Sequence, residues 1–168
     1  MARHPEVSGD ADAAVSDAGA PASTDPSAWA RGLGRAGLVP FVALAAALWL
    51  APPTAAPWAQ VALVAYGATI ASFLGGIHWG LAMRAGRVPA ATLLWGVVPS
   101  LVAWLGLLLA PPAGLLLLSA LLWTCYAADR VAYPRFQVDA WLPLRLQLTW
   151  VASGSCLAGM AALLQSRP

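Results

Sequence analysis

The sequence predicts an all-α integral membrane protein, a bundle of five transmembrane helices with its N-terminus in the cytoplasm. Three observations lead there. Sixty per cent of the 168 residues are hydrophobic and 10% are charged, against about 45–50% and about 25% in ordinary soluble domains. Five apolar stretches approach or exceed the ~20 residues that a helix needs to cross the hydrocarbon. The arginines near the ends of those stretches gather on one side.

The stretches run over about 36–51, 58–83, 90–110, 113–128 and 144–164, within a membrane domain at 31–168. The first is short, but Arg35 can snorkel outward and lengthen it. The second, Trp58 to Met83, is the longest. The third holds Pro99 near its middle, where loss of one backbone bond predicts a kink near the carbonyl of Trp95. The fourth runs from Leu115 to Ala128 and gains a turn if Pro112 and Ala113 begin it. Short turns at Pro52 to Pro57 and at Pro111-Pro112 force neighbours to run antiparallel, giving an up-down bundle. Arg31, Arg35, Arg84, Arg87, Arg130, Arg135 and Arg145 share one side and Arg167 the other, so the positive-inside rule puts the N-terminus in the cytoplasm and the C-terminus outside. Trp49, Trp58 and Trp141 flank the segments, where indoles favour the interface.

Residues 1–30 differ in kind. Glu6, Asp10, Asp12, Asp17 and Asp25 are five of the seven acids, set among Ala, Ser, Gly and Pro, a composition that predicts a disordered acidic tail. It lacks a signal peptide's apolar core and the Arg-rich, acid-poor character of a transit peptide. All nine basic residues are Arg, with no Lys or Asn, a bias of GC-rich genomes. The expected location is a bacterial inner membrane.

The most informative stretch is Ser72 to Gly80. At about 100° per residue, Ile70, Phe73, Leu74, Ile77 and Leu81 fall on one side and are expected to face lipid. Ala68, Ala71, Ser72, Gly75, Gly76, His78, Trp79 and Ala82 fall on the other, with Gly80 at its edge. Small residues let backbones approach closely, so Gly75, Gly76 and Gly80 are the expected helix-packing positions. His78 stands on that face about 9 Å inside Arg84 at 1.5 Å per residue. Ionisable groups at such depth are functional candidates; a neutral imidazole bonded to a neighbouring helix is the structural alternative.

Asp129 closes the fourth stretch and Arg145 opens the fifth, on the side nearest His78. A bundle can bring the three together at the inner rim, as a structural ion pair or as a polar vestibule for an anion or lipid headgroup. Thr149 and Ser153 follow Arg145 at i+4 and i+8, although such hydroxyls commonly bond their own i−4 carbonyl. Cys125 and Cys156 sit in apolar segments without CxxC spacing and signal neither disulfide nor metal. A net charge of +2 on dispersed arginines does not imply a nucleic-acid partner, and none is expected. No nucleophile with its base, phosphate-cradling loop or carboxylate pair points to an enzyme, and a bis-histidine haem lacks its second ligand, since His4 lies in the tail. No cofactor is expected.

Gly37-Leu38-Val39-Pro40-Phe41, the run Ser72 to Gly80, Val98-Pro99-Ser100 with Trp104, Asp129, and Trp141-Leu142-Pro143-Leu144-Arg145 with Leu148-Thr149 together resemble the domain of unknown function 3429 family of small multi-pass membrane proteins. The resemblance spans Arg31 to Leu164. It implies a membrane fold and no reaction. The expected function is a non-enzymatic scaffold, assembly factor or binder of a lipid, a membrane-protein partner or a second copy. The rival is a small permease or proton-linked carrier using His78 and the Asp129/Arg145 rim.

Overall fold

A computed structural model describes residues 25–86 and 88–165. The expected tail through Thr24, with its first four acids and His4, lies outside the described residues, as do Arg87 and Arg167. The order is α1 Ala28–Ala36, α2 Val39–Leu50, α3 Ala56–Ala85, α4 Ala90–Leu108, α5 Pro111–Arg135, a single 3-10 turn Asp139–Trp141, and α6 Leu142–Gln165. Among the described residues every regular element is helical. Five helical stretches are long and apolar enough to cross a membrane: 28–50, 56–85, 90–108, 111–135 and 139–165.

Two boundaries differ most from those read in the sequence. Helix begins at Ala28, inside the expected tail, because the Ser27 hydroxyl accepts from the Ala30 amide at 3.1 Å and caps a new N-terminus. This α1 hands over to α2 at Gly37-Leu38, where Pro40 withholds the amide that Ala36 would need. The fourth span extends seven residues beyond Ala128, to Arg135. Asp129 does not stop it, because its charge is met inside the bundle.

Helix α3 is the hub and packs on α2, α4, α5 and α6, most extensively on α4, while α5 pairs chiefly with α6 and α2 also rests on α6. Lipid tails are as apolar as the side chains, so close packing and interhelical hydrogen bonds hold such helices together. The α3–α4 crossing illustrates this. A Cβ on Gly75 would press into the carbonyl oxygen of Gly96, and one on Gly96 would strike the Trp79 ring. The Trp79 indole donates to the Leu93 carbonyl at 2.9 Å across the same crossing. Pro99 is buried within α4 beside it.

The facing of α3 corrects the expected one. Gly76 and Gly80 are exposed with open space where a Cβ would stand, whereas Leu74 is buried and Ile70, Ile77 and Leu81 are half-buried. The contact strip runs Ala68, Ala71, Gly75, His78 and Ala82, and Phe73 points outward. Four neighbours surround α3, so bulky residues are needed on its inner arc as well. Small size alone therefore did not mark the packed face.

Candidate functional site: a buried His–Asp–Arg cluster beneath a lateral cavity

Three helices meet around Asp129. From α3, His78 places Nε2 3.0 Å from Asp129 Oδ1; from α6, Arg145 donates through Nε to Oδ2 at 2.8 Å, with Nη2 2.7 Å from the same oxygen. His78, Asp129 and Arg145 are 2%, 1% and 7% exposed. A carboxylate only accepts, so His78 Nε2 carries the hydrogen of that bond. Nη2 is thus ion-paired with Asp129, although off the line of a hydrogen bond. Tyr133, one turn beyond Asp129 on α5, has its ring 6.4 Å from that of His78, and Trp95 of α4 stands edge-on at 6.5 Å.

A second polar tie lies deeper between α5 and α6. The Ser119 and Ser153 hydroxyls are 2.7 Å apart, and the Trp123 indole donates to Ser153 at 3.0 Å. Ser119, Leu122, Cys125, Asp129 and Tyr133 recur at three- and four-residue steps on the buried face of α5. That spacing was readable in advance, yet Ser119, Trp95, Trp123 and Tyr133 were not singled out. Indole and phenol are ordinary membrane residues, and only a partner makes them notable.

Over this cluster opens a cavity of about 780 Å³ bounded by α1, α2, α3, α5 and α6, within the ~300–1,000 Å³ range of small-molecule sites. Its walls are layered. Asp25, Arg84 and Trp141 lie at the arginine-rich rim; Tyr133, Arg145 and Thr149 form a polar belt below; Phe41, Ile70, Leu122 and Ala152 line the apolar deep end. Ile70 lies 14 residues before Arg84 on one helix, about 21 Å at 1.5 Å per residue, so the cavity reaches toward the bilayer centre. The Tyr66 hydroxyl donates to the Gly37 carbonyl at 2.8 Å and holds the α1–α2 junction against α3 at that end.

Thr149 lines the cavity. Its hydroxyl is buried and has no partner among the described residues, instead of bonding its i−4 carbonyl. Ser72 does bond Ala68 at 2.9 Å and takes no part in the cluster. Of the residues singled out in the sequence, the cluster unites His78, Asp129 and Arg145, with Thr149 one turn along α6. Trp79, Gly75 and Pro99 belong to the α3–α4 crossing, and Gly76 and Gly80 to neither. Among the described residues no group of three His, Cys, Asp or Glu could hold a metal ion.

A family model described as Protein of unknown function (DUF3429) matches residues 26–162. The chain belongs to this family. The DUF3429 match runs from before α1 into the last turn of α6 and includes every residue of the cluster. The chain is also similar to transmembrane protein 69 of Xenopus tropicalis, 46% identical over 45% of this chain and 31% of the relative. It thus spans under a third of the length of that curated relative. No solved structure matches. Family and relative agree with five apolar spans in making this a multi-pass membrane protein.

Proposed function

We propose that the protein is a non-enzymatic membrane component that binds an amphipathic lipid sideways, in the cavity above the His78–Asp129–Arg145 cluster. The carrying observation is Thr149. A buried hydroxyl without a partner costs about 1–3 kcal/mol, and this one lies in the polar belt of a cavity whose deep end is apolar. An ester or carbonyl oxygen there would accept from Thr149 and from the cavity-facing edge of the Arg145 guanidinium while its chain follows Phe41, Ile70 and Leu122 inward. Asp129 and His78 hold the Arg145 fork in place. The arginine asymmetry supports a cytoplasmic N-terminus and a lipid drawn from the cytoplasmic leaflet, and the arginine-only basic composition supports a bacterial inner membrane.

The test is lipid analysis of the full chain purified in mild detergent. Wild type is expected to carry a stoichiometric lipid whose removal lowers the melting temperature. Ile77→Trp, which fills the cavity from its wall, is expected to purify without that lipid and to be indifferent to lipid addition. Wild type without bound lipid, melting identically before and after delipidation, rules the reading out.

A further inference from the structure

Beside the cavity's rim lies a second recess of about 190 Å³, lined by Leu81, Arg84, Ala85, Arg135, Phe136 and Gln137. It shares Leu81 and Arg84 with the larger cavity. Two cations therefore line one small space that shares a wall with the apolar one. Among the described residues neither Arg84 nor Arg135 forms an ion pair, the acids of this region being Asp129, held by His78 and Arg145, with Asp25 on the larger cavity's rim and Asp139 in the 3-10 turn.

The third polar lining residue is held there at a cost. Helix α5 ends in a Schellman arrangement: the Val138 amide donates to the Tyr133 carbonyl at 3.0 Å and the Gln137 amide to the Pro134 carbonyl at 3.2 Å. The left-handed position of that motif ordinarily holds glycine. Here it holds Gln137 at φ 58°, the one non-glycine residue with positive φ among those described. Strain of this kind gathers at functional sites, and a glycine would lack the amide that Gln137 presents to the recess.

We propose that this recess holds the phosphate of an anionic phospholipid. The inference rests on the lipid-binding reading above and adds the headgroup. The phosphate lies between Arg84, Arg135 and Gln137; the ester oxygens reach Arg145 and Thr149; an acyl chain continues to the deep apolar end. Arg matches phosphate through bidentate donors, and basic recesses between transmembrane helices suit anionic headgroups. Two uncompensated cations favour a lipid with net negative charge over a zwitterion carrying the same phosphate.

Native mass spectrometry of the full chain, given equimolar phosphatidylglycerol and phosphatidylcholine in micelles, reads this directly. Wild type is expected to retain phosphatidylglycerol in preference by on the order of tenfold. Arg84→Ala/Arg135→Ala should still retain lipid but lose the preference. Gln137→Gly should lower phosphatidylglycerol retention without lowering the melting temperature, an outcome that a purely structural role for Gln137 does not give. Equal retention of both lipids by wild type, or a preference unchanged in the double variant, overturns the headgroup assignment and leaves lipid binding standing. Retention of neither lipid overturns both. Displacement of phosphatidylglycerol by millimolar inorganic phosphate, at equal occupancy, identifies free phosphate as the ligand and overturns the lipid version.

Discussion

The two flanks of α3 are built on opposite plans. Toward α4 the helices touch backbone to backbone at Gly75 and Gly96, the Trp79 ring covers the contact, and nothing else could fit. Toward α1, α2 and α6 the same helix presents Ile70, Ile77 and Leu81, and about 780 Å³ stays open above a buried ion cluster. A bundle that only needed to hold together would close both flanks. A cavity kept next to an unpartnered hydroxyl is what the proposed lipid site rests on.

Four substitutions separate these plans, each read by unfolding of the full chain in detergent. Asp129→Ala leaves a buried guanidinium unpaired and is expected to destabilise most, by about 3–5 kcal/mol; a loss below about 1 kcal/mol would mean that the cluster does not organise the open flank. Gly75→Ala drives a methyl into the Gly96 carbonyl, with a cost of about 1–3 kcal/mol, and an unchanged melting curve would show the α3–α4 crossing to be looser than described. Thr149→Val should raise the stability of delipidated protein by about 1 kcal/mol and weaken lipid retention. A loss of stability there would reveal a hidden partner for the hydroxyl. Gly76→Ala enters open space and should stay within about 0.5 kcal/mol of wild type; a larger cost would restore Gly76 to a packed seam.

The side of the membrane calls for introduced thiols, because Cys125 and Cys156 are buried and a reagent would miss them in either orientation. With the N-terminus cytoplasmic, an impermeant maleimide applied from outside should label Thr54→Cys and spare Asp139→Cys. The reverse pattern inverts the topology.

The spans were legible in the sequence because length and apolarity are additive along a chain. Boundaries were less so. Asp129 read as a helix end, since a charge beside Arg130 resembles a loop, and only the side chains of two distant helices turn it into an interior residue. The approach of His78, Asp129 and Arg145 followed from topology, as all three stand a few residues inside the arginine-rich edge. Their mutual geometry did not, and neither did the orphaned state of Thr149, a property of what fails to reach it. Within the chain Gly76 and Gly80 pack on no helix, because glycine permits close approach without causing it. The cavity was invisible, since a gap between helices leaves no mark in any one of them.

Whether lipid enters that gap can be asked with a phospholipid carrying a photoreactive diazirine near the end of its acyl chain. Irradiation in vesicles, followed by peptide mapping, is predicted to place adducts on the segments holding Phe41, Ile70 and Leu122. Adducts confined to outward-facing positions such as Trp104 and Trp150, with none at the deep end of the cavity, would contradict the account.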